Sequence, residues 1–165
     1  MGCGYGFQCK KCGYHFDAML GVGMLFPIVY EEMVNAGKEG KFGEEIQHFL
    51  KEYPEGALNA ENAAYRCGKC GRYAAEPVLT MYLPKDPGKE KDPEKGRWSV
   101  AFPGEGIDYV APYELETEYK VHKIHPHFCS ACGGRMRRMA DRELKAGLRC
   151  PECGEMMEPS YELWD

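Results

Sequence analysis

Cys9-Lys10-Lys11-Cys12-Gly13, Cys67-Gly68-Lys69-Cys70-Gly71, Cys129-Ser130-Ala131-Cys132-Gly133 and Cys150-Pro151-Glu152-Cys153-Gly154 are four versions of one pattern. Each has two cysteines separated by two residues and followed by glycine. Two cysteines at this spacing turn both side chains toward one ion, and the tight turn aims backbone N–H groups at the sulfurs. The following glycine suits a turn that needs positive φ. Zinc takes four ligands in a tetrahedron, with thiolate sulfur at about 2.3 Å. Eight paired thiols therefore fill two four-sulfur shells. A shell closed by four protein ligands is structural, because catalytic zinc keeps a position open.

The chain has nine cysteines in 165 residues. Disulfide scaffolds this rich in cysteine are secreted and usually shorter, and no charged-then-apolar signal segment begins the sequence. The expectation is a reduced, cytoplasmic, metal-binding protein. Met1-Gly2-Cys3 approaches a dual-acylation start, but Gly6 stands where Ser or Thr is wanted. It reads as a glycine-rich lead-in to the first knuckle, with Cys3 the odd ninth cysteine.

Cys132 and Cys150 are 17 residues apart, the spacing of one zinc ribbon. Cys129, Cys132, Cys150 and Cys153 are expected to share one ion (site 2). Cys9, Cys12, Cys67 and Cys70 then share the other (site 1) across a long insertion. An interleaved arrangement, first knuckle with third and second with fourth, is the alternative.

Phe7-Gln8-Cys9-Lys10-Lys11-Cys12-Gly13-Tyr14-His15-Phe16-Asp17 resembles the first knuckle of rubredoxin. Cys150-Pro151-Glu152-Cys153-Gly154 resembles the second knuckle of rubredoxin and of many zinc ribbons. Each resemblance covers about a dozen residues. It implies a rubredoxin-like zinc-ribbon fold with four-sulfur ligation, and it admits iron at site 1. Cys67-Gly68-Lys69-Cys70-Gly71-Arg72-Tyr73 departs from it in lacking the proline.

These readings combine into a small α+β fold of two zinc-ribbon (rubredoxin-like) β-hairpin modules, with a helical insertion in the first. Residues 1–83 form ribbon 1 with its insertion at about 27–65, residues 84–120 an exposed loop plus a β-hairpin, and residues 121–165 ribbon 2. In the insertion, Pro27 opens a helix with Val29, Met33 and Ala36 at i, i+4 and i+7. Phe42, Ile46, Phe49, Leu50 and Tyr53 stripe a second helix, and Ala57–Tyr65 is a short third. The stripes are expected to cover the first metal site. Residues 76–83 read as a strand, the Lys/Asp/Glu/Pro/Gly-rich 84–97 as an exposed loop, and Trp98–Tyr113 as a hairpin turning at Pro103–Gly106. Leu115–Tyr119 reads as a helical turn. Asp141 is expected to cap a short helix closed by Gly147.

Formal net charge is −5. Two four-thiolate zinc sites would carry it to about −9, since the ligands bind deprotonated. An acidic whole argues against a general nucleic-acid binder, and no run of eighteen apolar residues suggests a membrane span. Residues 121–150 are locally basic, and Arg135, Arg137, Arg138, Arg142, Lys145 and Arg149 are the candidate phosphate contacts. The plainer reading is a basic strip neutralised by the acidic 151–165 tail and the thiolates. His122, His125 and His127 precede Cys129. On a strand, the latter two would share a face with that cysteine as an extra metal site or pH-sensitive patch. Four thiolates already complete a site, so exposed strand histidines are expected.

No Ser/His/Asp order, nucleotide loop or His-Glu-x-x-His motif is present. The expected function is that of a non-enzymatic, zinc-stabilised binding or adaptor module, with a protein partner preferred. The alternatives are nucleic-acid binding through the basic strip and rubredoxin-like iron electron transfer. The residues imply no particular oligomeric state.

Overall fold

The computed structural model describes residues 2–88 and 107–164. It is a mixed α+β structure with four helices and small antiparallel sheets among the described residues. The strands are β1 (Gly2–Gln8), β2 (His15–Leu20), β3 (Ala57–Leu58), β4 (Asn62–Cys67), β5 (Tyr73–Pro77), β6 (Met81–Pro84), β7 (Tyr119–Lys123), β8 (Met136–Arg138), β9 (Leu148–Arg149), β10 (Met156–Met157) and β11 (Pro159–Trp164). The helices are α1 (Phe26–Lys38), α2 (Glu44–Glu52), α3 (Pro112–Thr117) and α4 (Asp141–Lys145).

The chain divides into two compact units, neither of them one continuous segment. The first gathers Met1–Gly23, Glu61–Val78 and Pro126–Asp165; the second gathers Met24–Ala60 and Leu79–His125. All four knuckles fall in the first unit. This replaces the expected succession of ribbon 1, loop and ribbon 2. Helices α1 and α2 belong to the second unit.

The first unit is organised by β1. Its odd residues point inward, burying Tyr5 and Phe7, while Gly2, Gly4 and Gly6 lie on the other face. β1 pairs antiparallel with β2 on one side, Phe7 opposite Phe16, and with β11 on the other, Gly2 opposite Trp164 and Phe7 opposite Pro159. Phe7 is 1% exposed and stacks on Phe16 at 6.0 Å between ring centroids; Phe16 in turn stacks on Tyr73 at 5.4 Å. Ala18, Ala64, Met139, Leu144, Leu148 and Met157 complete this core. A second small sheet runs β5-β4-β8. Its inward residues Ala63, Tyr65 and Met136 pack with Val78, Cys67 and Cys129.

α4 starts at Asp141, but Asp141 does not cap it. The Glu143 carboxylate reaches back to accept the Ala140 N–H at 2.9 Å. Asp141 instead accepts the buried Tyr5 hydroxyl at 2.6 Å and pairs with Lys145 at 2.7 Å. Gly147, at φ +85°, follows the helix as expected.

In the second unit, α1 packs on α2. Gly37 comes so close that a Cβ there would lie 2.8 Å from Leu50 Cδ1 and 3.2 Å from Ile46 Cγ2. Ile46, Phe49 and Leu50 of α2 are buried, as their spacing required. The buried stripe of α1 is Phe26, Tyr30, Met33 and Gly37, and Val29 is exposed. The apolar face is thus set by Phe26 and Tyr30, one residue away from the expected register. The sheet of this unit runs β3-β6-β7.

Two further expectations give way to strand pairing. Ala57–Tyr65 is not a helix: Ala57 and Leu58 pair with β6, while Asn62–Arg66 pair with β5. The alanines that favour a helix also fit the tight space between strands, and tertiary pairing overrides propensity here. Residues 76–83 are not one strand. β5 ends at Pro77 and β6 begins at Met81, and between them Leu79 takes φ +55°. That conformation costs a non-glycine residue about 1–2 kcal/mol. It is offset by burial of the Leu79 side chain and by its N–H donating to Asn59 O at 2.9 Å. The expected loop and hairpin fall mainly on residues 89–106, outside the described residues. The helical turn lies slightly earlier than expected, as α3.

Truncating Phe7 to Ala should cost about 3–5 kcal/mol, the usual loss for an aromatic removed from a packed core. Guanidinium unfolding followed by near-ultraviolet circular dichroism would measure it.

Candidate metal centres

Each knuckle is built the same way. The first cysteine's N–H donates to the carbonyl five residues on, and the glycine's N–H donates back to the first cysteine's carbonyl. In the first knuckle these are Cys9 N to Tyr14 O at 2.7 Å and Gly13 N to Cys9 O at 2.9 Å. The others use Cys67 and Gly71, Cys129 and Gly133, and Cys150 and Gly154, at 2.7–3.1 Å. All four glycines have φ between +66° and +79°, and a Cβ at any of them would meet nothing within 4 Å. Glycine is needed there for its backbone freedom, not for room. In every knuckle the first cysteine is buried and the second is more exposed.

The sulfurs converge into two groups: Cys9, Cys12, Cys150 and Cys153, and Cys67, Cys70, Cys129 and Cys132. Within each, all four lie within 4.8 Å of one another. Outer-group separations include Cys9–Cys153 and Cys12–Cys150, both 3.4 Å. Inner-group separations include Cys67–Cys132 at 3.5 Å and Cys70–Cys129 at 3.6 Å. A tetrahedron with bonds of about 2.3 Å has edges of about 3.8 Å, so both groups are sized for one thiophilic ion. Among the described residues no histidine joins either group.

The grouping corrects the expected one. The knuckles pair first with fourth and second with third, nested rather than sequential or interleaved. Strand pairing is the reason. β1 leads into the first knuckle, and β11, which follows the fourth, lies beside β1. β4 leads into the second knuckle, and its neighbour β8 follows the third, with Cys67 opposite Met136. The 17 residues between Cys132 and Cys150 carry β8 and β9 into different sheets, so their ribbon-like spacing never closes a ribbon.

The local electrostatics favour ionised sulfur at Cys9 and Cys67. Cys9 is drawn down to about 7, chiefly by the Cys12 N–H, against the cost of burial. Cys67 is drawn down to about 6 by the Cys70 and Lys69 N–H groups, whose nitrogens lie 3.5 and 3.4 Å from its sulfur. Cys12 receives a lowering bond from the Tyr14 backbone, but its sulfur neighbours, Cys150 first, push it up to about 12. Cys70 is pushed up to about 11 in the same way, mainly by Cys132, despite a lowering bond from the Arg72 backbone. Without an ion, neighbouring sulfurs favour the thiolate at Cys9 and Cys67 and oppose it at Cys12 and Cys70; a divalent ion would favour it at all of them.

Gly134 lies against the inner group. A Cβ there would sit 3.0 Å from Cys67 Sγ, 3.3 Å from Cys132 Sγ and 2.7 Å from Lys69 Cβ. The doubled glycine after Cys132 is the sequence signal for this contact.

The histidines do not act together. His122 stacks on Phe49 and lies against Tyr53, each at 5.4 Å. β7 ends at Lys123, so no strand aligns His125 and His127 with Cys129. His127 is 7% exposed. Its Nδ1 lies 2.9 Å from Glu76 Oε2, its Nε2 lies 3.2 Å from Val78 O, and its ring stacks on Tyr65 at 4.0 Å. It is a buried clamp holding the approach to the third knuckle against β5, contrary to the expected exposed strand histidine.

Much of the basic stretch is satisfied close to home. Glu143 accepts two bonds from Arg137 at 2.6 and 2.9 Å, Asp141 pairs with Lys145, and Lys123 pairs with Glu45. Arg149 donates to Gly154 O at 3.3 Å. Arg135, Arg138 and Arg142 are exposed. Cys3 is half-buried in β1, opposite Leu20 and Leu163. No helix among the described residues is long and apolar enough to cross a membrane.

No protein family, curated protein or solved structure matches this chain.

Gly134→Ala should lower occupancy of the inner group and its thermal stability together. Gly13→Ala should cost only backbone strain, about 1–2 kcal/mol, with the ion retained. Metal content and melting temperature of the two variants distinguish these outcomes. His127→Ala should destabilise by about 2–4 kcal/mol, because Glu76 and Val78 O lose their shared partner and Tyr65 loses its ring contact. Denaturant titration would read it.

Proposed function

We propose that this chain is a zinc-stabilised binding module that holds two structural ions and presents the surrounding surface to a protein partner. The observation that carries the metal reading is the convergence of eight knuckle sulfurs into two tetrahedron-sized groups. The residues fit a thiophilic ion: four sulfurs per site, buried first cysteines, and amide N–H groups aimed at them. When bound, the ions supply cross-links and no reactive position, because four protein ligands close each shell.

A protein partner is favoured by charge. The acidic total of −5 becomes more negative on loading. Residues 24–60 hold seven acids against three bases. The basic stretch spends Arg137 and Lys145 on its own carboxylates, which leaves less for phosphates. Retention on immobilised DNA or RNA that falls steeply with salt would reverse this preference.

Metal analysis of protein purified under reducing conditions, without heating, should find two zinc ions per chain and no colour. Red protein carrying iron would replace zinc with redox chemistry, and protein with neither metal would end the reading. Loading should also release protons. Cys12 and Cys70, held up at about 12 and 11 in the metal-free chain, must lose theirs to coordinate. Zinc binds the thiolate and acid favours the thiol, so affinity should fall as pH falls. With at least one proton displaced per site, the loss between pH 8 and 6 should be at least about tenfold per pH unit. Competition with a chromophoric chelator across that range would measure it.

A further inference from the structure

The two sulfur groups are not equivalent, and three independent features separate them. First, Cys12 in the outer group is the one exposed cysteine among the eight; the outward cysteines of the inner group, Cys70 and Cys132, are half-buried. Second, the inner knuckles are tied directly to each other by Gly68 N donating to Arg135 O at 3.1 Å, and β4 pairs with β8 right up to Cys67 and Met136. Among the described residues no backbone hydrogen bond joins residues 9–14 to residues 150–155. The nearest strand pairing, Phe7 with Pro159, stops short of both outer knuckles. Third, Gly134 packs onto the inner sulfurs at a distance that leaves no room for even a methyl group.

We propose that the outer group, Cys9, Cys12, Cys150 and Cys153, is an exchangeable metal site, and that the inner group is the permanent one. This rests on the metal-binding reading above and adds an order to it. A competing ligand must reach the ion past an outward-facing sulfur, so the exposure of that sulfur governs access. Cys12 offers that approach. Once it lets go, no knuckle-to-knuckle backbone bond holds the remaining sulfurs in place. At the inner site, departure of one sulfur leaves the Gly68–Arg135 bond and the β4–β8 ladder to return it. The outer ion is then a releasable clasp between the first and fourth knuckles, and its ligand class is a divalent thiophilic cation shared with external thiols or chelators.

The test uses the full zinc-loaded chain carrying Cys3→Ser, so that no unligated thiol competes. Its zinc content is measured first; a metal-free chain would overturn the metal-binding reading, and this inference with it. Treatment with 4-(2-pyridylazo)resorcinol should then release one zinc equivalent in a fast phase and the second at least about tenfold more slowly. Limiting iodoacetamide, mapped by mass spectrometry, should label Cys12 first while Cys67, Cys70, Cys129 and Cys132 stay protected. Release of both ions in one phase, or first labelling at Cys70 or Cys132, would overturn the exchangeable-site proposal alone. As a second measurement, Cys12→Ser should keep one zinc and leave residues 61–78 and 126–138 protease-resistant. Loss of both ions in that variant would equally overturn it.

Discussion

Four sulfurs can meet around one point only if the backbone delivers two knuckles to the same place. In this chain strand pairing makes the delivery. β1 is the centre of the arrangement: it carries the first knuckle at one end, buries Tyr5 and Phe7 on one face, and accepts β2 and β11 on its two edges. Because β11 follows the fourth knuckle, the first and fourth are brought together across 138 residues of chain. The β4–β8 pair does the same for the second and third across 59. Closing loops of that length costs entropy that grows only slowly with length, and the strand pairing helps to offset it.

The two sites are also coupled through the protein between them. The Tyr73 hydroxyl, beside the second knuckle, donates to Arg149 O beside the fourth at 2.9 Å, and Arg72 pairs with Glu152 at 3.3 Å. The ion pair is exposed and contributes little, about 0–1 kcal/mol. The Phe7–Phe16–Tyr73 stack contributes more, because it removes three aromatic faces from water. Four-sulfur groups able to hold a metal ion would supplement the small core of a chain whose sheets are only two or three strands wide.

Legibility of the sequence varied with the range of the interaction. The knuckle turns could be read because glycine at positive φ and the Cys-x-x-Cys spacing are both contained within five residues. α1 and α2 could be read because their apolar periods repeat over three turns, although Val29 was placed on the wrong face once Phe26 and Tyr30 claimed the inside. Ala57–Tyr65 could not be read, because alanine-rich segments suit both a helix and a tightly packed strand. The break at Leu79 could not be read either, since nothing in Val78-Leu79-Thr80 announces a residue at φ +55°. Ser160-Tyr161-Glu162-Leu163 does alternate polar and apolar, the period of the strand that pairs with β1.

The sequence by itself determined which eight sulfurs are available as ligands and how each pair turns. All of this is local chemistry. Only the tertiary structure decided which pairs share a site, because that depends on which strands lie side by side, and strand pairing is chosen by burial across the whole chain. The same physics explains His127. Its identity is visible in the sequence, but its place as a buried clamp exists only because β5 passes beside it.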